Sequence, residues 1–197
     1  KPAAFSIAGN AKIIEANTVS PDMVSANSDV AVRFKGASDS NLKPHIKRML
    51  APSLTSLMGE TIADLFETAI DRSDVVGRAL DKVTLSTTFP TDGLSKQFQQ
   101  VAKLINSSTE LATERGVYYV RIGGFDTHSN LRDTLEANFE QIDTALSAFM
   151  AEMKAQGRWK DVTVVSTSEF GRTITSNGAG TGSNPITLTL TLTLTLT

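Results

Sequence analysis

Residues 117–122, VYYVRI, and residues 161–167, DVTVVST, are short apolar runs of the kind that form buried strands. Between them Leu135, Phe139, Ile142, Leu146, Phe149, Met150 and Met153 recur at helical spacing. Asn130 stands where it can cap that helix and Gly157 where it can end it. Strand, crossover helix, strand is the order of a parallel βαβ unit with a right-handed connection. In such sheets function gathers at the C-terminal ends of the strands. Both polar clusters of this half, Gly123-Gly124-Phe125-Asp126-Thr127-His128 and Ser168-Glu169-Phe170-Gly171-Arg172-Thr173, lie just beyond those two ends.

Upstream, Phe98, Val101, Leu104, Ile105 and Leu111 form the stripe of another helix, expected from about residue 94 to 114. Pro90 and Asp92-Gly93 make a turn before it, and Gly116 is expected to stop it. Pro52 can open an earlier helix, with Leu54, Leu57, Met58, Ile62, Leu65, Phe66 and Ile70 on its apolar face and Asp64 and Glu67 on its wetter one. Residues 73–89 carry no clear pattern, and residues 1–50 are the least regular part. There DVAVRF, residues 29–34, would place Val30, Val32 and Phe34 on one face of a short strand. Downstream, residues 186–197 read ITLTLTLTLTLT, a strand pattern with one apolar and one hydroxyl face but no turn that returns it to a partner. Such a repeat resembles translation through a simple nucleotide repeat, and an exposed strand of this kind invites edge-to-edge association. The organisation expected is one partial domain over residues 1–181 and a low-complexity tail over 182–197.

With 197 residues the chain can hold one core, and nineteen Lys and Arg against twenty-one Asp and Glu give a net charge of -2. No positive field draws it to nucleic acid. The lack of cysteine removes disulfides, thiolate metal sites and cysteine nucleophiles. No run of about 18 apolar residues forms an integral membrane segment. The opening KPAAFSIAGN has no signal-like pattern and reads as an internal cut, so compartment and oligomeric state stay undecided.

Asp126 and His128 are one residue apart, so an extended backbone puts both on one side, with alpha carbons about 6–7 Å apart. Oxygen and nitrogen donors converging in this way suit zinc, manganese or iron, and Glu169 at the next strand end can add a third donor. Three protein ligands leave room for water, whose lowered pKa makes hydrolysis the natural reaction class. Arg172 can fork onto a phosphate, sulfate or carboxylate, or pair with Glu169. The plainer alternatives stay open: Asp126 as a turn cap, His128 in an ordinary hydrogen bond, and Glu169 with Arg172 as a salt bridge. His45, among Lys43, Lys47 and Arg48, reads as part of a solvated basic patch. Asn106-Ser107-Ser108 fits a glycosylation acceptor but falls inside the expected helix.

Through GGFDTH at 123–128 and SEFGRT at 168–173, and over residues 89–180 more widely, the chain resembles the DUF1501 family. These are uncharacterised, often exported bacterial proteins, related to the alkaline phosphatase and sulfatase superfamily. The resemblance implies an α/β fold: a partial, truncated, alkaline phosphatase-like three-layer α/β/α sandwich with a mostly parallel sheet. It further implies a metal-dependent hydrolase acting on phosphate or sulfate esters, with Asp126, His128 and Glu169 as ligands of a divalent metal such as zinc. Arg172 would then contact a small anionic ester. Family chains continue from SEFGRT into a threonine-aspartate-histidine-glycine motif; here the resemblance breaks after Thr181, and no serine or threonine matches the superfamily's nucleophile. The expectation is therefore a hydrolase-like fragment that is inactive as given, and the alternative is a non-catalytic, exported anion-binding or surface-associated module.

Overall fold

The computed structural model describes residues 1–17, 19–26, 44–46, 48, 57–125, 130–168 and 188–195. The chain divides into two compact units, one of residues 1–27 with 84–197 and one of residues 28–83. The expected strand at 29–34 and the Pro52 start of the first helix lie outside the described residues.

The first unit is a mixed α/β fold around a five-stranded sheet of order β2-β1-β3-β5-β4. Its strands are β1 (Pro2–Ser6), β2 (Asp22–Met23), β3 (Arg115–Arg121), β4 (Val162–Ser168) and β5 (Leu188–Thr195). β2, β1 and β3 form a parallel three-stranded part. β5 runs antiparallel to both β3 and β4, so those two point the same way, as a βαβ unit requires. The expectation that the repeat finds no partner is corrected here. Eight of its residues are inserted between the two strands of that unit, and residues 189–194 are paired on both sides.

β3 alternates as its sequence demands. Tyr119 joins Ala4, Ala11 and Ile14 in a cluster under the 3-10 turn Lys12–Ile14, with Val117 packed beside it. Tyr118 and Val120, both 0% exposed, face the opposite way, and Phe5 of β1 stacks on Tyr118 at 5.6 Å between ring centroids. Gly116 lies inside the strand and ends no helix. The Tyr118 ring lies across it, and a Cβ at residue 116 would stand 2.5 Å from the Tyr118 hydroxyl. Only a residue without a side chain leaves space for that ring.

Two helices cover one face, α2 (Gly93–Asn106) and α3 (Leu131–Ala155). α2 starts where the turn residues place it, with the Asp92 carboxylate accepting the Ser95 N–H at 2.8 Å. It ends at Asn106, short of the expected residue 114, because Ser107, Ser108 and Thr109 open a run of turns. The positive φ of Ala112, 49°, completes the break. α3 keeps its expected extent, and Phe149 meets Phe98 of α2 at 5.1 Å between ring centroids. Its stripe is covered only at the C-terminal end. Ala145, Phe149 and Met153 are fully buried, whereas Phe139 is 56% exposed. Asn130 sits in the left-handed region and makes no side-chain cap; its carbonyl accepts the backbone N–H and the hydroxyl of Thr134 instead.

In the second unit, α1 (Leu57–Asp81) runs well past Ser73, into the stretch that carried no clear sequence pattern. Ala63, Ile70, Val76, Ala79 and Leu80 are buried, while Met58, Ile62, Leu65 and Phe66 of the expected apolar face are exposed. Spacing tells which residues share a helix face, and it leaves open which face finds cover.

Candidate functional site

The site the motifs point to is the C-terminal edge of β3 and β4. Side chains that sequence reasoning passed over fix the approach to it. β1 stops accompanying β3 once the Ile7 N–H has bonded the Tyr119 carbonyl at 2.9 Å. At Arg121 the carboxamide of Gln97 on α2 takes over the role of a neighbouring strand. Its Oε1 accepts the Arg121 N–H at 2.8 Å, and its Nε2 donates to the Arg121 carbonyl at 2.9 Å. Beyond Arg121 the chain turns at Gly124, whose φ of +87° is open to glycine and strained for other residues. Asn138 of α3 donates from Nδ2 to the Gly124 carbonyl at 3.0 Å. Phe125, 3% exposed, is set edge-on against Phe139 at 6.2 Å. The end of β3 is thus held to α2, and the Gly-Gly-Phe segment that leads into Asp126 is held to α3.

Asp126, His128, Glu169 and Arg172 themselves lie outside the described residues. What the fold establishes is where their strands end. Arg121 is opposite Thr189 and Ser168 is opposite Leu188, so both strands finish at one sheet edge. They are not neighbours there, as the βαβ reading implied, because β5 stands between them. Two strand spacings put the ends of β3 and β4 about 10 Å apart. Among the described residues no group of three or more His, Cys, Asp or Glu is placed to hold a metal. His45 is exposed in a helical turn, 3.4 Å from Arg48 through Nδ1, as expected of a solvated patch.

A buried carboxylate on α3 anchors the segment that enters α2. Glu152 is 1% exposed, and its Oε2 accepts the N–H groups of Ser86 at 3.0 Å and Thr87 at 2.8 Å. Its Oε1 accepts from Gln156 Nε2 at 2.9 Å. Glu152 has a readable signature, an acidic residue in line with Phe149 and Met153 on the apolar face. Gln97 and Asn138 have none, because each bonds backbone that only the tertiary fold brings near. Burial pushes the Tyr118 phenol well above its ordinary range. At Asp92 burial raises the carboxyl pKa, but the hydrogen bonds from Ser95 and the Leu94 amide lower it further, and the net position is below the ordinary value.

A twisted α/β unit with two motif-bearing strands ending on one edge belongs to the broad class of sheets that carry their sites at strand ends. More particularly, the family described as protein of unknown function (DUF1501) matches residues 55–192, and the chain belongs to it. That match runs into the Leu-Thr repeat and includes most of β5. No curated protein and no solved structure matches the chain.

Proposed function

We propose that the shared edge of β3 and β4 is a divalent-cation site in a hydrolase-like scaffold, with Asp126, His128 and Glu169 as its ligands. In this reading the scaffold is a relative of the three-layer alkaline phosphatase and sulfatase fold. The observation that carries the reading is the common edge: β3 ends at Arg121, one residue short of GGFDTH, and β4 ends at Ser168, the first residue of SEFGRT. The donor set fits the group, since two carboxylates and an imidazole are hard and borderline donors suited to zinc or manganese. A cation held there supplies Lewis-acid stabilisation to an ester oxygen. Arg172 binds and orients the anionic group of a phosphate or sulfate ester through its planar fork. Asn138 and Phe139 hold the backbone entering Asp126 in place. The chain offers no nucleophile matched to the superfamily, so binding without turnover is the expected behaviour.

Calorimetric titration of the full chain with Zn²⁺ and with Mn²⁺ tests this directly. One cation per chain is expected, with at least tenfold weaker binding in Asp126→Asn, His128→Ala and Glu169→Gln, and no hydrolysis of p-nitrophenyl phosphate or sulfate above background. Absence of binding, or binding untouched by all three substitutions, overturns the reading.

A further inference from the structure

We infer that β5 has no single register: the slot between β3 and β4 accepts the Leu-Thr repeat in at least three alignments, each two residues from the next. The register observed pairs Tyr118 and Val164 with Leu192, and Val117 and Thr163 with Thr193. A strand's side chains alternate with a period of two, and the sequence of residues 186–197 repeats with the same period. Sliding the chain by two residues therefore sets a leucine where a leucine stood and a threonine where a threonine stood. Tyr118 is still paired with a leucine and Thr163 with a threonine, and every ladder hydrogen bond is remade. Ordinary register control comes from a pattern that a slip disrupts, and this repeat has none for even slips.

On the N-terminal side the alignments are bounded by the sequence. The slot takes eight residues, now 188–195. Residues 186–193 fill it with one change, Ile186 where Leu188 stood, and residues 190–197 fill it with none. A further step toward the N-terminus would draw Pro185 into a strand bonded on both sides, where its missing N–H and ring exclude it. Each permitted step also takes two residues from, or gives two to, the link over residues 169–187 on which Glu169 and Arg172 lie.

The absence of native cysteine makes the test clean. Thr163→Cys is combined in turn with Thr191→Cys, Thr193→Cys or Thr195→Cys, and closure under brief oxidation is read on non-reducing gels. A disulfide needs alpha carbons closer than about 7 Å, which directly opposed residues satisfy and residues displaced by two do not. Comparable closure of all three pairs, within about threefold, is expected. Ile186→Asp should then abolish closure to position 191 alone, and Leu196→Asp closure to position 195 alone, because each shifted register draws one of those residues into the sheet. Closure confined to position 193 overturns the inference. So does closure at 191 and 195 that ignores the aspartates, since that pattern reports unfolding. If the Thr163→Cys variants lose their far-UV circular dichroism, Val117→Cys on β3 faces the same Thr193 and gives the same readout.

Discussion

The sheet is specified in two different ways on its two sides. β1 and β3 carry unlike residues that fit one arrangement: Phe5 stacks on Tyr118, Tyr119 packs on Ala11 and Ile14, and Tyr118 needs the space at Gly116. From β5 to β4 the pairing is longer, but one strand is a dipeptide repeat and the other is an edge with Val165 42% exposed. Hydrogen bonds alone hold strands together without choosing among alignments; unlike side chains make the choice. Stability and uniqueness are therefore concentrated around α2 and α3.

The largest expected effect breaks the well-specified side. Phe149→Ala, which empties a fully buried position against Phe98, should lower unfolding free energy in urea by about 3–5 kcal/mol. Next, Glu152→Ala leaves the Ser86 and Thr87 amides without their acceptor at a cost of about 1–3 kcal/mol. Hydrogen exchange at those two amides should accelerate before α2 is affected, and unchanged protection there would contradict the role assigned to Glu152.

Removing the α2 cap with Asp92→Ala should cost about 0.5–2 kcal/mol. Its pH dependence has a definite sign. The folded carboxyl lies below its usual value of 3.8, so the stabilisation is complete above that value and is lost as pH falls through the lower folded one. Urea unfolding across that acid range should show a smaller loss of stability in Asp92→Asn than in the parent chain. Val165→Ala on the open edge should change stability by less than about 0.5 kcal/mol, which completes the contrast with Phe149.

How far the sequence discloses this depends on which interactions decide each element. β3, α3 and β4 are legible because an apolar period and two glycine breaks coincide with the elements they specify. The end of α2 is less so, since the periodic position Leu111 hides the competing hydroxyls of Ser107 and Ser108. In α1 the visible apolar line Met58, Ile62, Leu65 and Phe66 is not the buried one, because cover is a tertiary property. The place of β5 cannot be read from a repeat that suits any apolar-polar neighbour equally well. For the candidate site, the motif residues are conspicuous by type and spacing, while the groups that hold their approach, Gln97 and Asn138, look like ordinary helix surface.

The inserted strand also has a consequence for how the molecule is made. β5 follows in the chain every strand it touches, and its pairings, such as Arg115 with Thr195, span most of the second half of the sequence. During vectorial synthesis β3, α3 and β4 leave the ribosome first, with two facing strand edges open and nothing between them. Closing that gap waits for the slowest kind of contact, a long-range one. Until it closes, the repeat of any other copy of the chain is chemically indistinguishable from the chain's own, so the yield of correctly closed monomer should fall as the concentration of unfolded chain rises.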